Sequence, residues 1–185
     1  SPPSSQDTGL AANSAVPLDL SANVGAVPEI VAWYQRRGLP PWLAIPDRLL
    51  PLPPGLTSEH TERVLVRDVS DMGAREANPS ITLSPGPDAV IDGELMFGTA
   101  AGTVARAAVT AAPDGTRWVG LSAIPATANE VDAHVLCEAL LAWGAGRGAT
   151  RGYLRVPDTG PTALADSLGF RLHHRCRYFS ARPSS

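Results

Sequence analysis

Between Trp118 and Ala149 the hydrophobic pattern changes period once. Trp118, Val119, Leu121, Ala123 and Ile124 predict a buried strand, and Pro125, which has no N–H for a ladder, closes it. From Val135 onward Leu136, Ala139, Leu140 and Trp143 recur every three or four residues, the spacing of one helix face, with Asp132, Glu138, Ala142 and Arg147 opposite. Gly148 supplies a helix stop, after which residues 152–156 predict a second strand. The unit is strand, helix, strand.

The same order is predicted at the start of the chain. Residues 11–18 suit a strand, and residues 27–37 a helix with Pro28 in its first turn, Arg36 and Arg37 in its last and Gly38 beyond it. Residues 42–46 suit another strand. The prolines from 46 to 57 predict an extended connector. A second series opens with the alternating residues 63–69, passes through the turn-rich residues 70–87, and continues as three antiparallel strands over 94–99, 103–111 and 116–124. Pro113-Asp114-Gly115 makes the turn between the last two. A helix over 162–168, Gly169 and a strand over 170–179 close the chain. This order predicts an α+β fold with a mixed, mostly antiparallel sheet flanked by helices. Residues 1–9, Ser/Pro-rich and without an apolar run, read as disordered or an expression remnant. Residues 10–57 form an incomplete leading half with its connector, and residues 58–185 form the main domain.

Composition narrows the function classes. The chain has 185 residues, 44% of them apolar, and no window approaches the ~20 apolar residues of a membrane span. A net charge of −3 gives no electrostatic footprint for nucleic acid. The expectation is a cytoplasmic protein with neither membrane nor nucleic acid as partner. Cys137 and Cys176 lack metal-ligand spacing and read as free thiols, and His173-His174 alternates across a strand without further ligands, so no metal is expected. Trp33, Trp42, Trp118 and Trp143 read as core and interface anchors, and Arg171, Arg175 and Arg177 as a solvated strand stripe.

Several separated segments share one likeness. Leu121-Ser122-Ala123-Ile124-Pro125, the helix ending in residues 140–149, the strand Tyr153-Leu154-Arg155-Val156 and the segment Ala163 to Phe170, with its Leu168-Gly169-Phe170, resemble the second half of the GNAT acetyltransferase superfamily. The likeness covers residues 63–179. Asn13 to Pro17, Trp33-Tyr34 and Gly38 to Pro41 also resemble the leading half of two-part GNAT proteins of actinobacteria. The resemblance implies an N-acetyltransferase moving acetyl from acetyl-CoA to an amine acceptor, small molecule or protein. It implies a cofactor site in which the backbone of Ser122, Ala123 and Ile124 pairs with pantetheine, while Asn129, Val131, Ala133 and His134 lie where the diphosphate meets a helix N-terminus.

Two departures open an alternative, a GNAT-fold binding or regulatory module with weak or no CoA binding. The family's basic-or-Gln, Gly and Gly/Ala positions fall on Ala128, Val131 and Ala133, of which only Ala133 fits. Glu130 and Asp132 add carboxylates where phosphate would bind, and the motif reads as degenerate. The Asn and the proton-donating Tyr that the family often carries fall on Asp158 and Ala165. Tyr153 and Tyr178 remain candidate acids, and Glu94 and Asp92 candidate bases; each also reads as a packing or surface residue.

Overall fold

The computed structural model describes residues 14–15, 32–33, 35–38, 42–46, 56–74, 76, 78–86, 93–122, 124 and 128–181. Its strands are β1 (Ser14–Ala15), β2 (Trp42–Pro46), β3 (Leu56–Asp68), β4 (Thr82–Pro85), β5 (Gly93–Ala100), β6 (Thr103–Ala111), β7 (Arg117–Ser122), β8 (Arg151–Pro157) and β9 (Arg171–Ala181). A long helix, Glu130–Gly146, and a short one, Ala163–Ser167, complete the main elements. The chain divides into two compact units, residues 64–173 and residues 1–63 with 174–185.

In the unit of residues 64–173 the strand order is β3-β8-β7-β6-β5-β4. β4 to β7 pair antiparallel as the hydrophobic alternation predicts, and β7 pairs parallel with β8. A parallel pair needs a crossover, and the long helix supplies it. On β6, Ala105, Ala107 and Val109 are wholly buried and face the core, while Val104 and Arg106, which alternate with them, are exposed. The helix lays Leu136, Cys137, Leu140 and Leu141 into that core.

Its approach to the sheet is set by two glycines. A Cβ on Gly98 of β5 would stand 2.6 Å from Leu136, and one on Gly144 would stand 2.5 Å from Val119 of β7. The β5–β6 hairpin turns on Ala101 and Gly102, both at positive φ (49° and 81°), the backbone that a tight two-residue hairpin turn requires. Asp114 Oδ1 accepts from Thr116 N–H at 2.8 Å in the predicted β6–β7 turn, and this bond holds its carboxyl below the usual carboxylate range.

In the other unit β1 runs parallel to β2, β2 antiparallel to β9, and β9 lies beside β3. Residues 32, 33, 35 and 36 are helical, and Gly38, at φ 66°, ends that turn. The predicted strand, helix, strand order is present there, while residues 27–31, the connector over 47–55 and residues 1–9 lie outside the described residues. Tyr178 is wholly buried and donates its hydroxyl to Glu62 Oε2 at 2.7 Å. His60 Nε2 lies 3.4 Å from the other oxygen of Glu62.

Some predicted boundaries and roles change. β3 begins at Leu56 rather than at residue 63, and β7 ends at Ser122 rather than at 124. Trp33 is an exposed residue, with the Arg37 guanidinium 3.8 Å from its ring centroid. Trp143 only flanks the core, because at this point the helix meets the sheet through Gly144 and leaves the indole at its side. Cys137 and Cys176 are both buried free thiols.

Candidate functional site

The register of β7 with β8 runs from Trp118↔Arg151 to Leu121↔Leu154 and stops, although β7 continues to Ser122 and β8 to Pro157. Ser122 pairs instead with Arg106 on its other side, and the Arg106 Nε–H donates to Ser122 Oγ at 3.0 Å. Among the described residues no register pair joins the two strands beyond Leu121 and Leu154, and this end of the ladder is the opening of the site. A strand edge offers main-chain donors and acceptors with little regard to side chain. Of the predicted strand residues, Ser122 stands at this opening and Ile124 packs, half-buried, against the core. Ala123 lies outside the described residues.

The long helix starts one connection later. Asn129 is its N-cap, with φ −61° and ψ 129°, and its side-chain oxygen accepts from Val131 N–H at 2.9 Å. Ala133 N–H makes the first helical bond, to Asn129 O, and its side chain is buried. Glu130 and Asp132 occupy the first turn, and the Val131 side chain is 70% exposed. His134, a turn further on, reaches the short helix: its Nδ1 lies 2.9 Å from Ser167 Oγ. Ser167 spends its own hydrogen on Leu164 O, so the serine oxygen accepts and His134 Nδ1 carries the proton. His134 Nε2 faces Glu138 at 3.7 Å. The structure thus brings Asn129, Val131, Ala133 and His134 together around one helix end.

The family model described as "Probable histone acetyltransferase Rv0428c C-terminal" matches residues 4–179. The chain belongs to this family. A curated relative, "Probable histone acetyltransferase Rv0428c" of Mycobacterium tuberculosis, is 58% identical over 196 residues, covering 94% of this chain and 64% of that protein. The chain therefore spans less than two thirds of that relative's length. Among solved structures, a GCN5-related N-acetyltransferase from Kribbella flavida aligns with TM-score 0.57 and 16% identity, over 90% of this chain and 77% of that one. A putative GNAT-family acetyltransferase from Novosphingobium aromaticivorans aligns with TM-score 0.52 and 20% identity, over 77% and 74%. The GNAT resemblance of the sequence is borne out, and the α+β fold with it.

Within this GNAT fold the candidate acids and bases fall in unrelated places. Ala165, at the position where the superfamily often has its tyrosine, is 1% exposed and part of the core. Tyr178 belongs to the other unit and is bound to Glu62. Tyr153 lies against Gly120, where a Cβ would come within 2.4 Å of its ring, and meets Trp118 edge-on at 6.3 Å between centroids. Glu94 forms a 2.9 Å ion pair with Arg147 and lies 3.9 Å from Arg117. Arg147 is the C-cap of the long helix, and 17 helical residues at ~1.5 Å each put it about 25 Å from the N-terminus. Glu94 is thus a brace at the wrong end of the helix for chemistry at Asn129. Asp92 lies outside the described residues. Burial pushes the Cys137 thiol up to about 12, which removes it as a nucleophile.

A groove of about 530 Å³ runs along the side of the helix that carries Val135, Ala139, Ala142 and Trp143, and is walled by Ile81 and Leu83. It shares no residue with the end of the β7–β8 ladder or the capped first turn. The Trp143 indole N–H, buried and without an acceptor among the described residues, is on this side. Sequence reasoning missed the groove because Trp143 sits at core spacing; the glycine beside it was the signal. Among the described residues no helix is long and apolar enough to cross a membrane.

Proposed function

We propose that this chain is the acyl-transfer module of an N-acetyltransferase, moving acetyl from acetyl-CoA to an amine. The observation that carries this reading is the end of the described β7–β8 register at Leu121 and Leu154 in a member of an acetyltransferase family. An open strand edge suits the amide-rich pantetheine arm, because pairing through main chain recognises amides whatever the local side chains are. In the reaction the lone pair of a neutral amine attacks the thioester carbonyl carbon. The C–N bond forms, the C–S bond breaks, sulfur leaves as thiolate and takes up a proton, and the nitrogen gives one up. The relative's name makes a lysine-bearing protein tail the first acceptor to offer.

In this reading the amine arrives already neutral, since Glu94, the candidate base among the described residues, is engaged by Arg147 and Arg117 at the far end of the helix. The rate with a lysine acceptor is expected to climb with pH toward the amine's own pKa of about 10.4, in place of a bell centred near 7. A plateau below pH 8 would reveal an enzyme base. A second reading, a binding or regulatory module without turnover, is favoured by the burial of Ala165 where a proton donor would stand.

Thermal denaturation separates these. Acetyl-CoA at ~100 times its dissociation constant should add ~2.7 kcal/mol of stability. No shift at millimolar ligand rejects the acetyl-CoA reading. Binding without acetyl appearing on any lysine-bearing acceptor selects the second. All 15 basic residues of this chain are arginine and none is lysine, so acetyl mass on an acceptor is read without a background from the chain's own side chains.

A further inference from the structure

We infer that the donor is recognised through its acyl-pantetheine arm alone, and that the first turn of the long helix does not hold the diphosphate of coenzyme A. The inference rests on the acetyl-transfer reading above. A helix N-terminus takes phosphate when its leading N–H groups are unpaired, its surroundings are not anionic, and small residues let the anion approach the main chain. All three conditions are altered. Val131 N–H is already bound to the Asn129 side chain at 2.9 Å. The Val131 isopropyl group stands 70% exposed on the first turn, where a glycine would leave the backbone bare. Glu130 and Asp132 bring two carboxylates to the same turn, which contains no basic residue.

The neighbouring groups do not reverse that balance. His134 is held between Ser167 Oγ at 2.9 Å and Glu138 at 3.7 Å, so its ring is engaged by protein groups on both sides and faces a carboxylate on one of them. On the short helix Asp166 adds a further carboxylate, tied to Thr162 Oγ1 at 3.0 Å. The helix end has thus given the Val131 N–H to its own cap and set two of its own carboxylates against the dipole that a phosphate would use. The opening beyond Leu121 is independent of these changes, since recognition there works through the main chain at the end of β7.

The consequence is a donor specificity: this chain does not distinguish acetyl-CoA from a thioester that carries the same acyl-pantetheine arm without phosphates. Calorimetric titration of the unaltered chain with acetyl-CoA and with S-acetylpantetheine tests it. The expected dissociation constants agree within fivefold, whereas acetyl-CoA binding more than fivefold tighter overturns the inference while leaving acetyl transfer standing. If neither thioester binds, the acetyl-transfer reading falls and takes the inference with it. A triple variant, Glu130→Gln, Val131→Gly and Asp132→Asn, is expected to tighten acetyl-CoA at least fivefold with S-acetylpantetheine unchanged. The second measurement reports that the variant is folded, and a smaller gain for acetyl-CoA overturns the assignment to these residues.

Discussion

The two ends of the long helix obey different rules. Its C-terminal half is fixed by contact: Leu140, Leu141 and Gly144 are buried, and Gly144 leaves room for Val119 of β7. Its first turn is fixed by charge and hydrogen bonding, with Asn129 as cap, Glu130 and Asp132 beside it, and Val131 in solvent. Packing leaves no room for an extra carbon at Gly144, while the first turn is acidic, exposed at Val131 and capped by the Asn129 side chain. Fold and site chemistry are therefore separable within 17 consecutive residues.

Gly144→Ala should break the comparison most visibly. The new Cβ would meet the Val119 side chain at 2.5 Å, and overpacking of this kind costs ~1–3 kcal/mol in chemical denaturation. A neutral result would show that β7 and the helix separate freely, and that contact does not govern this end. Asn129→Ala comes next. Losing the bond to Val131 N–H should cost about 1 kcal/mol, and no loss would mean that the carboxylates alone satisfy the terminus. The smallest effect is expected two residues past the contact. A methyl group added at Gly146 would meet nothing within 4 Å, so Gly146→Ala should raise stability by about 0.4–1 kcal/mol through the unfolded state. A loss there would indicate that the helix end is more crowded than its surface position suggests.

Much of the fold was legible because period, glycine and proline carry it. The antiparallel run β5 to β7, the crossover helix and the turn at Asp114 follow from alternation, from spacing and from Pro113-Asp114-Gly115. Trp143 misleads for the same reason: its spacing is that of Leu136 and Leu140, but a helix that touches a sheet through glycine turns the neighbouring residue sideways. The lower limit of β3 escapes the sequence because Leu56 to Thr61 mixes polar residues without alternation, and its strand state depends on pairing with distant chain. At the site, the altered first turn was visible in Val131, Glu130 and Asp132. The fate of His134 was not, since Ser167 lies 33 residues away and only the fold brings it near. Glu94 reads as a possible base because a lone carboxylate near a strand start gives no hint of two arginines arriving from elsewhere.

The return of β9 sets an order in time. Residues 64–173 are continuous, so that unit has all its strands and both its main helices as soon as they have been synthesised. The other unit is assembled from residues before 64 and after 173, and β2 finds its antiparallel partner only in residues 176–180. Glu62 waits for a tyrosine 116 positions further along the chain. During synthesis β2 must stay unpaired with β9 while residues 64–173 are made, so of these two units the one begun earlier is completed later.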